Sequence, residues 1–176
     1  MNVLFFILLT LFLMILQTVI LPSFSFFIQC FDLLIIVVLF MCLVSSHYST
    51  IFGIAVIGII MDSISGVPFF YHLFSYVWVY IIVYLVRQFL FQKSVLFILI
   101  MSVVSVGIQH LLLLFSIFVR TSGQDVLAFD FSLLIRQLFW GFIVIPPSIW
   151  FVSGFRNYWL KTGLQIQRRW RKAHER

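Results

Sequence analysis

Asp62 interrupts the run Gly53-Ile-Ala-Val-Ile-Gly-Ile-Ile-Met-Asp-Ser-Ile-Ser-Gly-Val-Pro68, which is otherwise almost wholly apolar or small. Only five of the 176 residues are Asp or Glu, so a carboxylate in this setting calls for a physical reason. Three chemistries are open to it. It can accept hydrogen bonds from the free amides of a following helix and so lock a turn. It can contact a partner protein or ligand, because acids within membrane spans mark function by default. It can relay protons. His72, ten residues on, is the polar side chain best placed to meet it; the competing reading is an interfacial His bonded to water or backbone.

The residues around the acid describe a close-packed bend. Ala55, Gly58 and Asp62 fall at i, i+3 and i+7 on one helical face. That face has little side-chain bulk, so a second helix can approach its backbone closely. The segment after Asp62 reads as a tight turn into a new helix: Ser65 can cap, Gly66 can take a positive φ, and Pro68 suits a first helical position.

The elements that position these groups follow from composition. The chain is 64% hydrophobic and 9% charged, against about a quarter charged for soluble domains; its mean hydropathy is +1.20. Hydrocarbon is therefore its expected solvent. A mass of 20.7 kDa leaves room for about six spans of roughly 20 residues and no soluble catalytic domain. The apolar segments are 3–21, 31–45, 48–61, 69–90, 94–118 and 134–155, separated by short polar punctuation. The expected architecture is an all-α, polytopic six-helix transmembrane bundle over 1–155, with a basic cytoplasmic tail over 156–176. The first segment lacks a basic flank and a small-residue cleavage site, so it reads as a retained helix.

Lys and Arg set the orientation. With the N-terminus inside, Arg87, Lys93, Arg156, Lys161, Arg168, Arg169, Arg171, Lys172 and Arg176 are cytoplasmic, leaving only Arg120 and Arg136 outside. The first two spans carry no Lys or Arg, and 48–61 is short enough to be re-entrant, which would put the N-terminus outside. Six spans with a cytoplasmic C-terminus is the preferred topology.

The remaining polar residues point away from catalysis. His47, His72, His110 and His174 fall in different elements. No metal-spaced cluster, nucleophile elbow or phosphate loop is present; no cofactor or metal site is expected. Gln17, Gln109 and His110 lie within apolar segments, where bonding between helices is the favoured role over ligand binding. Cys30 and Cys42 read as small apolar fillers rather than a disulfide. Pro146-Pro147 should kink the last span. Beyond it, Arg156, Lys161, Arg168, Arg169, Arg171 and Lys172, with Trp159, Leu160, Leu164 and Trp170 on a loosely apolar side, suit an interfacial helix on anionic lipid. Docking on a cytoplasmic partner is a second option; nucleic-acid binding is not expected.

The run from Gly53 to Tyr76, G-I-A-V-I-G-I-I-M-D-S-I-S-G-V-P-F-F-Y-H-L-F-S-Y, resembles the signature of the MreD family of bacterial rod-shape-determining membrane proteins. Asp62, Ser65, Gly66, Pro68 and His72 occupy the matching positions, and Phe31-Asp32-Leu-Leu is similar to the family's Asp-Leu-Leu at the second span. Phe70 departs from the pattern, standing where a Gly is common. The resemblance covers nearly the whole chain, with about twenty residues carrying its specific part. It implies an inner-membrane scaffold of the elongasome, with a fold like the substrate-binding subunits of energy-coupling-factor transporters. It also implies an MreC-type bitopic partner and, through it, links to RodA, a penicillin-binding transpeptidase and MreB. The resemblance carries no catalytic residues.

The alternative of a different class is a substrate-binding subunit of an energy-coupling-factor vitamin transporter. Those subunits couple to their motor through an Ala-x-x-x-Ala pattern on the first helix. Residues 3–21 contain no alanine, which argues against it.

Overall fold

The structure, a computed structural model, describes residues 2–23, 32–66, 70–88, 94–121 and 131–174. Every described element is helical. The elements are α1 (Asn2–Ile15), α2 (Leu34–Val44), α3 (His47–Ser65), α4 (Tyr71–Val86), α5 (Val95–Thr121) and α6 (Phe131–His174). This suits an apolar chain, because in hydrocarbon a helix satisfies its own backbone polar groups. α1 continues into a π-helical turn, Leu16–Ile20, closed by the Leu21 amide on the Leu16 carbonyl, and a 3-10 turn, Leu21–Ser23.

Four stretches are long and apolar enough to cross a membrane: Val3–Ser23, His47–Ser65, Val95–Ser116 and Leu134–Thr162. Leu34–Val44 and Tyr71–Val86 are apolar but shorter. The segment expected over 48–61 is one unbroken helix of 19 residues, not a re-entrant hairpin. The fourth and second segments are shorter than their apolar runs, since α4 begins only at Tyr71 and α2 only at Leu34.

α2 is the hub. Leu34 through Cys42 are all buried, so every side of the helix faces protein. It packs against α1, α3, α4 and α6. α1 is the reverse: Val3, Leu4, Ile7, Leu8, Leu11 and Phe12 are exposed, Val3 at 71%. Trp150 and Phe151 of α6 are likewise exposed. Apolar surface on this scale has hydrocarbon as its natural solvent.

α3 and α4 run antiparallel, since Asp62 near the end of α3 meets His72 at the start of α4. At the other end His47, the first residue of α3, meets Tyr80 and Tyr84. The two lie so close that a Cβ on Gly58 would come within 2.7 Å of Leu73 Cα. α5 packs on α6, where Val106 fills the space beside Gly141.

α6 runs without a break through Pro146-Pro147 and past residue 156. The helix backbone therefore continues across the position where the basic tail was expected to begin, as suits residues 155–174, which hold no proline and mostly good helix formers. The side chains of Arg168, Arg169, Arg171 and Lys172 lie outside the described residues, as do Pro68 and Cys30. Cys42 is a free, buried thiol.

Candidate functional site

α3 ends at Ser65 because Gly66 adopts the left-handed conformation, φ 65°, that closes helices. α4 then begins without a capping side chain of its own. Its N-cap residue is Phe70, at φ 72°, a conformation costing a non-glycine residue about 1–2 kcal/mol. A phenyl ring has no acceptor with which to satisfy the first amides of the helix.

Asp62 supplies that acceptor from the neighbouring helix. Its Oδ1 accepts the His72 amide at 2.8 Å, and its Oδ2 accepts the Leu73 amide at 3.3 Å. The His72 ring closes the arrangement, with Nδ1 3.0 Å from Asp62 Oδ1. With the carboxylate as acceptor, Nδ1 carries the hydrogen. Asp62 is only 5% exposed; a buried carboxylate is tolerable because donors surround it and the helix start carries positive partial charge. Ser65 does not cap a helix here. It is the last residue of α3, and its hydroxyl lies 3.4 Å from His72 Nδ1.

Asp32 centres a second cluster next to the first. Its Oδ1 accepts the Leu34 amide at 3.0 Å, an Asx turn that starts α2. Its Oδ2 accepts the Tyr76 hydroxyl and, at 2.9 Å, Gln109 Nε2 of α5. The Tyr71 hydroxyl donates to the Gln109 carbonyl at 2.8 Å. Gln17, in the π-helical turn after α1, accepts the Leu33 amide at 3.0 Å through Oε1. The clusters meet through aromatic rings: His72 lies 5.0 Å from Tyr71 and 6.0 Å from Tyr76, centroid to centroid. One polar layer thus joins α2, α3, α4 and α5, with Gln17 reaching in from beyond α1.

The structure brings together Asp62, Gly58, Ser65, Gly66, His72 and Asp32. Pro68 lies outside the described residues. Tyr71 and Tyr76 were not singled out in the sequence, where a tyrosine in an apolar helix reads as a core or interfacial ring. The available signal was spacing, since Tyr76 stands one turn beyond His72 on the same face. Of the expected lipid-surface residues, Lys161 is exposed. Arg156 is instead half-buried, with Nε enclosed and, like Trp159 Nε1, without a hydrogen-bond partner among the described residues.

Chemically this layer is a brace. Each Asp32 and Asp62 oxygen engages helix-start amides or side-chain donors fixed on helices. Among the described residues no group of three His, Cys, Asp or Glu side chains converges as a metal would need. No family model, curated protein or solved structure matches the chain.

Proposed function

We propose that the chain is a non-enzymatic scaffold subunit of the bacterial elongasome, of MreD type. In this reading it lies in the inner (cytoplasmic) membrane, with six spans and a cytoplasmic C-terminus, and holds an MreC-type bitopic protein. Through that partner it supports RodA, the penicillin-binding transpeptidase and the MreB filament in side-wall peptidoglycan synthesis. The second span then includes residues flanking Leu34–Val44, because α2 alone covers about 16 Å of a roughly 30 Å hydrocarbon core.

One observation carries the reading. The signature residues Gly58, Asp62 and His72 converge on the α3–α4 contact, and Asp32 joins them through Tyr76. A chain that commits its described carboxylates to fixing helix positions is built to present a shape. The exposed apolar sides of α1 and α6 offer room for lipid or a partner's transmembrane segment.

The test is a pull-down of tagged full-length chain from rod-shaped bacteria in mild detergent. An MreC-type protein should co-purify with the wild type, and its yield should fall sharply with Gly58→Leu and Asp62→Ala but not with Cys42→Ala. Recovery of the chain alone across several detergents would overturn the proposal. A co-purifying vitamin that raises the melting temperature would favour the transporter class instead.

A further inference from the structure

The opposite end of the α3–α4 pair holds a second polar site, separate from the Asp62 layer. A shallow surface depression, a cleft with an enclosed volume of only about 10 Å³, lies there, lined by Cys42, Ser45, His47, Tyr80, Tyr84 and Arg87 among others. Its hydrogen-bonding groups are held in place. Arg87 Nη1 donates to the Cys42 carbonyl at 3.2 Å, anchoring the guanidinium to the end of α2. His47 Nδ1 pairs with the Tyr80 hydroxyl at 3.0 Å, and its ring stands edge-on to Tyr84 at 5.0 Å.

No described residue that lines the cleft is acidic. Among the described residues Arg87 has no carboxylate partner, and its other guanidinium N–H groups are uncommitted. Asp32 and Asp62 are the only described acids, and Asp62 is about 22 Å further along α3. His47 has no second hydrogen bond among the described residues, which leaves its Nε2 uncommitted, and the Tyr84 hydroxyl is in the same state. The start of α3 adds to this: Ser46, its N-cap, makes no side-chain bond to the helix amides. The first amides of α3 therefore have no side-chain cap from Ser46, at the helix end nearest His47.

We propose that this cleft binds a phosphate group, and that its source is the headgroup of an anionic membrane lipid. A fixed guanidinium beside an imidazole and a phenol makes a polar set of the kind that holds phosphate. The lipid source follows from what borders the cleft. Ile51 lies one turn from His47 on α3, Ile81 lies one turn from Tyr84 on α4, and both are exposed. Leu85 and Phe52 are exposed beside them. An acyl chain has an apolar track leading away from the cleft along the helices, which a soluble anion would not use. The site is independent of the partner-binding reading and of the basic tail.

Native mass spectrometry of the full-length chain, released from detergent with equal phosphatidylglycerol and phosphatidylcholine, tests this. The wild type should retain one phosphatidylglycerol in preference to phosphatidylcholine. Arg87→Gln should weaken retention about tenfold, the scale of one charged hydrogen bond. His47→Ala, at an exposed position where misfolding is not a concern, should weaken it less, and Lys161→Gln should leave it unchanged. Equal retention of the two lipids, wild-type retention by both Arg87→Gln and His47→Ala, or an equal loss in Lys161→Gln would overturn the site. Thermal protection by millimolar inorganic phosphate matching that by phosphatidylglycerol would overturn the lipid as its source.

Discussion

Where α3 ends and α4 begins, Asp62 accepts two backbone amides and an imidazole, and every contact lies within the protein. Where α3 begins and α4 ends, Arg87 and His47 have one hydrogen-bond partner each among the described residues, and ring nitrogen and guanidinium groups to spare. The same two helices thus close their polar groups at one end and leave them open at the other. Burial explains the difference. Asp62 is 5% exposed, so an unmet hydrogen bond there would carry its full desolvation cost. His47 is exposed and Arg87 half-buried, so solvent or a lipid headgroup can complete their bonding. The closed end fixes geometry; the open end is free to recognise something.

Substitutions separate these roles, and the largest effect belongs to the closed end. Gly58→Leu places carbon against the Leu73 backbone, which cannot shift without moving α4. We expect a loss of more than about 3 kcal/mol, or no folded protein, in detergent unfolding. Asp62→Ala strands the His72 and Leu73 amides and should cost about 3 kcal/mol; Asp62→Asn, which keeps one acceptor oxygen, should recover part of it. Equal behaviour of Ala and Asn in the same assay would mean that the carboxylate does not cap α4.

Tyr76→Phe removes one donor to Asp32 while keeping the ring, for about 1–2 kcal/mol. Phe70→Gly runs the other way. Relieving a left-handed phenylalanine should stabilise the chain by up to about 1 kcal/mol, since glycine's greater freedom in the unfolded chain offsets part of the gain. Arg87→Gln should have the smallest effect on unfolding, below about 1 kcal/mol, because only the bond to the Cys42 carbonyl is lost. If Arg87→Gln unfolded the protein as readily as Asp62→Ala, the contrast between the ends would fail.

Parts of the closed end were legible beforehand for a local reason. Asp62, Gly66 and His72 lie within eleven residues, so helix geometry and turn chemistry alone bring the acid near the next helix start. The positive φ of Gly66 followed from the same reasoning. Phe70 did not: nothing local announces that a phenylalanine will take a left-handed conformation and leave its helix start to another helix. Asp32 entered only through the family resemblance, and its partners Tyr76 and Gln109 are 44 and 77 residues away. His47, Tyr80 and Arg87 meet across two helices, and reading Arg87 for topology alone hid its place in a cleft.

The sequence by itself determined that this chain is helical and apolar enough for a membrane, and that its polar residues are few. It did not determine which helix is inside. α1 and α2 are both nearly continuous runs of Leu, Ile, Val, Phe and Met, yet α1 shows a broad exposed side while α2 is enclosed on every side. Lipid tails are as apolar as a protein interior, so no polar stripe is needed to mark an outer face. Packing decided it: α2 lies against α1, α3, α4 and α6, and the hydrogen bonds that Asp32 accepts from Tyr76 and Gln109 tie its start to α4 and α5.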